Sequence, residues 1–240
     1  SLIENFINTI NKPIIIGFSG LPGSGKSTLG FWIDSVAREL SLDIKVISLD
    51  DFYLPAQEMD FAMKGNPWNV PRGFPGSHSL DLLHQSLDVF LKTGILRSPT
   101  FDKSLRDGKG DRSGWCELKS KILILEGWFV GCEPVSNLNN IDSLSEDKFN
   151  LSLSQDEKDY RSLIQESLIK YSKIWKKFDK IWHLKSSHFN NTILWKTQQE
   201  EEMIKIRGSG LKGNNLTDFI RMIQSSIPQQ SLSFINADTT

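Results

Sequence analysis

The stretch Pro13–Thr28, PIIIGFSGLPGSGKST, decides how the rest of the chain is read. Ile14, Ile15 and Ile16 are β-branched residues in a row, the composition of a strand covered on both faces. Gly20-Leu21-Pro22-Gly23-Ser24-Gly25-Lys26-Ser27 then fits G-x-x-x-x-G-K-[ST] at every fixed position, with Thr28 behind it. The glycines let the backbone curl so that successive N–H groups point inward at phosphate oxygens. Lys26 brings a point charge to the outer phosphates, and the Ser27 hydroxyl is placed to ligand Mg²⁺. A helix opening at that point adds the positive end of its dipole. Leu29, Trp32, Ile33, Val36 and Leu40 recur at three-four spacing, which predicts a helix packed on a sheet through that stripe. Strand, loop and helix in this order predict a nucleoside-triphosphate site, with Gly20, Gly23, Ser24, Gly25, Lys26, Ser27 and Thr28 around the phosphates.

Composition sets the outer bounds. A chain of 240 residues reads as one domain, large enough to bury roughly 70–75% of its unfolded surface. Its 28 basic and 29 acidic residues leave a formal charge of −1, which argues for neither a nucleic-acid nor an anionic-membrane partner. No apolar run approaches the ~20 residues that span a bilayer. Two cysteines, Cys116 and Cys132, are too few for a disulfide framework and lack metal-ligand spacing. They read as reduced thiols of an intracellular protein, cytoplasmic, or of an organelle stroma had a transit segment been removed before Ser1.

Downstream, Lys45–Leu49 predicts a second strand ending in Asp50-Asp51-Phe52-Tyr53, which completes a βαβ pattern and implies a parallel sheet. Ligands of such sheets bind beyond the carboxyl ends of the strands, where Asp50 and Asp51 fall. On an extended chain the two carboxylates point to opposite faces, so one of them is expected in the site. Residues 55–79 read as a long Pro- and Gly-rich loop carrying Trp68, Arg72 and His78, followed by a helix from Ser79 to Gly94. Pro99–Trp115 reads as a second, charge-rich loop. Ile122–Gly127 is a buried strand closing on Glu126, the acid that orients Mg²⁺ in phosphate-loop proteins. Residues 133–155 read as a surface loop, Glu157–Lys177 as a helix, and Lys180–Leu184 as a strand in which His183 is packed rather than catalytic. Thr192–Arg207 predicts a charged helix running into Gly208-Ser209-Gly210, with another helix from Thr217 to before Pro228. That pair reads as a closing lid or as a plain solvated surface. A final strand is expected at Ser231–Ala237.

In combination these motifs resemble the branch of phosphate-loop kinases that contains uridine kinase, phosphoribulokinase and pantothenate kinase. Within it they resemble most the D-glycerate 3-kinase family of plants and cyanobacteria. The stretches that carry the resemblance are Ser48–Leu54, Arg72-Gly73 with Pro75–His78, Phe101–Ser104 with Gly108–Arg112, and Leu125–Gly131. Trp195-Lys196-x-Gln198-x-Glu200 is a further match, with Lys196 where the family more often has arginine. That exchange keeps the charge and loses the bidentate fork. The Ser/Asn-rich stretch after Cys132 is longer than the family's connection, and the family pattern would continue with another strand and tail after Thr240.

The resemblance implies an α/β, three-layer P-loop NTPase fold with a parallel five-stranded sheet flanked by helices and a helical lid over residues 192–216. It implies ATP and Mg²⁺ as cofactors and D-glycerate as acceptor, phosphorylated at its terminal hydroxyl. Asp50 takes the place of the general base. Ser27 holds Mg²⁺, with Glu126 and Asp50 acting through water, and Lys26 and a lid cation, Arg207 or Lys205, supply positive charge to the transferring group. Arg112 is the expected carboxylate clamp, with Arg72 and Lys103 in support, His78 bonding a hydroxyl and Tyr53 lining the acceptor site. Trp68 and Tyr53 keep a nucleoside kinase open as an alternative, beside a pantothenate-type kinase and a non-catalytic nucleotide-binding module. The oligomeric state is not legible.

Overall fold

The computed structural model describes residues 11–135, 152–185, 191–207, 210–228, 231–232 and 235. Strand β1 (Ile14–Gly20) passes through the phosphate loop into helix α1 (Lys26–Glu39), which returns to β2 (Ile44–Ser48). After a short helix α2 (Ala56–Ala62) come α3 (Leu80–Thr93), β3 (Ile95–Asp102), β4 (Asp111–Lys119) and β5 (Ile122–Gly127). Helix α4 (Gln155–Trp175), β6 (Lys180–Leu184), α5 (Asn191–Arg207) and α6 (Gly213–Ser225) complete the order.

The main sheet has the order β2-β5-β1-β6 and is wholly parallel. Among the described residues it has four strands rather than the expected five. Of the strand expected at 231–237, Ser231 and Leu232 lie in a helical turn and Ile235 in irregular chain, and the rest falls outside the described residues. Parallel pairing brings Gly20, Ser48, Gly127 and Leu184 to one edge of the sheet, where the chain turns that carry the site begin.

Both faces are covered, which makes three layers. On one face Ile16, Phe18, Ile122 and Ile124 pack under α1 through Ile33. On the other, Ile15, Ile47, Leu123 and Leu125 join Leu83, Leu87 and Phe90 of α3 and Ile164, Leu168, Tyr171 and Ile174 of α4.

Helix α1 does not pack through the stripe its periodicity suggests. Leu29, Trp32, Val36 and Leu40 are 43, 61, 45 and 49% exposed, whereas Gly30 and Ala37 are buried. The helix lies so near the sheet that a Cβ on Gly30 would sit 3.1 Å from Val46 Cγ1. Small residues therefore define the contact face, and Ile33 alone of the stripe reaches the core.

The segment expected as the loop Pro99–Trp115 is instead the turn and much of both strands of an antiparallel hairpin, β3 with β4. Its strands register from Ile95 opposite Lys119 to Asp102 opposite Asp111, with an irregularity at Thr100/Phe101. The turn closes on Gly110, whose φ of +79° puts it in the left-handed region and whose added Cβ would strike the Phe101 ring at 2.3 Å. The loop after Pro55 likewise contains α2. Most of the surface loop read at 133–155 lies outside the described residues.

Candidate active site

At the end of β1 the chain makes the loop Gly20–Ser27, and Gly25, with φ +87°, is the residue from which α1 starts. Ser27 Oγ donates to Glu126 Oε1 at 3.2 Å, and Lys26 Nζ stands 3.8 Å from Glu126 Oε2. Glu126 is itself buried, and its Oε2 accepts no hydrogen bond. One hydroxyl and one carboxylate beside an unsatisfied oxygen suit Mg²⁺, which takes one or two protein oxygens and fills its remaining positions with water and phosphate. No group of three or more His, Cys, Asp or Glu side chains among the described residues forms a closed cage.

A cavity of about 230 Å³ opens over the loop, lined by Gly23, Gly25, Lys26, Ser27 and Thr28 below and by Trp195, Gln198, Gln199 and Glu202 of α5 above. Gly20 is tight against Ser24 Oγ and Leu184, and Ser24 Oγ is buried without a hydrogen-bond partner. A Cβ on Gly23 would lie 2.8 Å from the Lys196 backbone nitrogen. Helix α5 thus meets the phosphate loop at Trp195 and Lys196. Arg207, expected as the lid cation, ends the helix roughly 16 Å along its axis at about 1.5 Å per residue, and its side chain lies outside the described residues. Lys196 is nearly buried, 2.5 Å from Glu200 Oε1, with its ammonium 5.1 Å from the centre of the Phe219 ring. Burial draws its pKa down and Glu200 counters, while the charges of Lys103 and Lys26 add to the downward pull.

Beyond β2 the chain is not extended. Leu49–Phe52 forms a 3₁₀ turn, and a capping box orients the two aspartates. Ser48 Oγ accepts from the Asp50 N–H, and Asp51 Oδ2 accepts from the Ser48 N–H, each at 3.3 Å. Asp51 is therefore turned back onto the strand end, and burial pushes its carboxyl up to about 6. Asp50 faces Lys103, whose Nζ lies 2.6 Å from Oδ2. Burial opposes ionisation of Asp50, but the Lys103 ammonium outweighs it, aided by Lys26, and holds the carboxyl well below the usual range.

The chain after this turn pairs with a later loop. Leu54 N–H donates to the Ser77 carbonyl at 3.0 Å and Ser79 N–H to the Phe52 carbonyl at 2.8 Å, so Tyr53 bridges His78. Their rings stack with centroids 4.5 Å apart. His78 Nδ1 is 2.7 Å from the Tyr171 hydroxyl, and Nε2 is buried without a partner. Burial pulls the imidazole down to about 4, so it is neutral at pH 7. Burial, and then the Asp50 charge, pushes the Tyr53 hydroxyl well above its ordinary value.

The β3–β4 hairpin docks onto this segment through groups whose role the sequence did not signal. Asp111 Oδ1 accepts from the Ala56 N–H at 3.0 Å, and Arg106 pairs with Asp60. Arg72 Nη1 donates to the carbonyls of Gly108 and Lys109 at 2.8 and 2.5 Å, so it braces the hairpin turn. Arg112 Nε donates to the Tyr53 carbonyl at 3.1 Å, and its Nη2 is buried without a partner. Asp50, Lys103, Lys26, Glu126, Tyr53 and His78 are thereby brought together, with Arg72 and Arg112 as the hairpin's braces. Trp68 is elsewhere. Its indole N–H is buried against Glu157 Oε1 and Ser225 Oγ, at 3.0 and 2.6 Å, which leaves it no part in stacking a base.

No protein-family profile matches the chain. It is 31% identical over 221 residues to the uncharacterised kinase mug58 of Schizosaccharomyces pombe, covering 87% of this chain and 78% of that protein. It is 30% identical over 223 residues to the chloroplastic D-glycerate 3-kinase of Arabidopsis thaliana, covering 87% of this chain and 45% of that protein. A solved D-glycerate 3-kinase from Cryptococcus neoformans superposes with a TM-score of 0.80 at 24% identity, over 97% of this chain and 90% of the other, and so has the same fold.

Proposed function

The chain belongs to the family of P-loop kinases that includes mug58 and D-glycerate 3-kinase, and from that premise we propose that it moves the γ-phosphate of ATP to the terminal hydroxyl of D-glycerate. The product is 3-phosphoglycerate. Glycerate is small and wholly polar, so hydrophobic burial contributes little to holding it, and its carboxylate calls for charge-assisted hydrogen bonds. The observation that carries the reading is the cluster opposite the phosphate loop: Asp50 under Lys103, with a neutral His78 beside it.

The roles follow from position. The loop N–H groups and Lys26 hold the β- and γ-phosphates. Ser27 and Glu126, with Asp50 through water, would hold Mg²⁺, which when bound neutralises phosphate charge. Asp50 takes the proton of the attacking hydroxyl. Lys103 and the unpartnered Nη2 of Arg112 meet the carboxylate, while Arg72 fixes the turn that presents Lys103. His78 Nε2 bonds a hydroxyl. On α5, Lys196 stands nearest the phosphate loop and is favoured over Arg207 and Lys205 as the lid cation. Residues 192–216 act as that lid within a single kinase domain. Of Trp68 and Tyr53, the two residues that favoured a nucleoside acceptor, Trp68 is spent in the core.

The test is ATP turnover across D-glycerate, uridine, pantothenate, ribulose 5-phosphate and glycerol with Mg²⁺ present. Glycerate should lead by orders of magnitude, and neutral glycerol should be very poor. Efficient uridine or glycerol phosphorylation with glycerate inert would overturn the acceptor and leave the kinase standing.

A further inference from the structure

Lys103 differs from the other cations at the acceptor end in what holds it. Arg72 is spent on two backbone carbonyls and Arg112 on one. Lys103 extends from the start of the hairpin turn, and its ammonium donates to Asp50 Oδ2 at 2.6 Å. Its side chain is 52% exposed and that of Asp50 28%. The pair is partly open to water, so an incoming carboxylate can reach the ammonium and replace Asp50 on it without leaving the lysine charge unpaired. The ammonium is also in the way, since it holds Oδ2 of the carboxylate that the transfer requires as a base. Around it stand Lys26, Glu126, His78 and Arg72, and the charge of Arg72 pushes against Lys103 as Asp50 and Glu126 draw it in.

We propose that Lys103 exchanges partners: it covers Asp50 until the acceptor's carboxylate draws it away, and that exchange releases Asp50 to take the hydroxyl proton. Carboxylate recognition and base release are then one event. A neutral polyol brings nothing to exchange, so it meets a covered base and is rejected in kcat as well as in KM. With the base released, the hydroxyl oxygen bonds to the γ-phosphorus, its proton passes to Asp50, and the bond from that phosphorus to the ADP oxygen breaks. Charge is conserved through the exchange, because one carboxylate replaces another on the same ammonium. The inference rests on the glycerate reading above.

Lys103→Met, Lys103→Arg and the wild type would be compared on D-glycerate and glycerol with saturating ATP and Mg²⁺. In Lys103→Met the KM for glycerate should rise at least tenfold while kcat on glycerol rises, so that the preference for glycerate falls a hundredfold or more. Lys103→Arg keeps a mobile cation and should restore most of the preference. A loss of both activities in equal proportion would make Lys103 a brace only and overturn the exchange. So would a loss on glycerate with glycerol unchanged, which describes a carboxylate contact without a covered base. A wild type inert on glycerate would instead remove the acceptor reading, and the exchange with it.

Discussion

The backbone of α5 closes on the phosphate loop so tightly that a Cβ on Gly23 would lie 2.7 Å from the Cβ of Trp195. Gly23 also has φ +80°, where an L side chain costs roughly 1–2 kcal/mol. Gly23→Ala should therefore push α5 off the loop. The KM for ATP should rise roughly tenfold or more, since about 1.4 kcal/mol is tenfold in an equilibrium. Tm should fall by several degrees, because the left-handed strain alone is roughly 1–2 kcal/mol and each kcal/mol moves Tm by roughly 2–4 °C. Steady-state kinetics with ATP varied, beside a melting curve, would check both; an unchanged KM would mean that α5 does not need this contact.

Lys26 is the point charge of the loop, and its Nζ stands 3.8 Å from Glu126 Oε2. Lys26→Ala should abolish turnover and weaken ATP binding while glycerate binding is retained. Equilibrium binding of each ligand separates the two effects, and a normal kcat would sink the triphosphate site.

The capping box makes the two aspartates unequal. Asp50→Asn keeps the shape and removes the proton acceptor, and general-base loss typically costs ~10²–10⁴-fold in kcat. ATP affinity should stay near that of the wild type. Asp51→Asn still accepts from the Ser48 N–H and should lose far less. Single-turnover rates for both variants decide it. If Asp51→Asn is the crippled one, the assignment of the base is wrong.

The phosphate-loop part of the candidate site is legible in the sequence because its information is local. Each role expected of Gly20–Ser27 follows from residue type and spacing within a few positions, Glu126 lies near the end of a recognisable strand, and Asp50 just beyond one. What could not be read depends on contacts across the chain. Strand β4 is almost wholly exposed or half-buried, so no alternation of apolar residues announces it, and Gly108, Gly110 and Gly114 imitate a loop. The stripe on α1 has helical spacing, but Gly30 and Ala37 pack because they are small, which hydropathy does not register. Lys103 meets Asp50 only once the hairpin has docked through Asp111, Arg106 and Arg72. Trp68 suits a base platform by residue type alone, and only the fold gives its indole N–H to Glu157.

That partner supports a stability prediction. Glu157 is buried, and its two oxygens accept from the indole N–H of Trp68, the hydroxyl of Ser225, the Ser154 N–H and two guanidinium nitrogens of Arg221. It ties the start of α4 to α6 and to the loop after α2. Burial alone would raise its pKa, but the Arg221 guanidinium outweighs burial and holds the carboxyl at about 2, below the ordinary value of 4.5. Because the folded value is the lower one, this stability is fully present above pH 4.5 and is lost as pH falls toward about 2. Glu157→Gln cannot balance Arg221; breaking one side of a buried pair costs roughly 3–5 kcal/mol, and because the Arg221 side chain is 32% exposed the lower end of that range applies. For a chain of this size each kcal/mol moves Tm by roughly 2–4 °C, so a fall of about 10 °C is expected at pH 7. Adding Arg221→Met should recover part of it, because the stranded charge is then gone. Melting curves from pH 7 down to pH 3 should show the gap between wild type and Glu157→Gln narrowing with acid. A gap that stayed constant over that range would mean that the carboxylate charge contributes nothing and that only its shape matters.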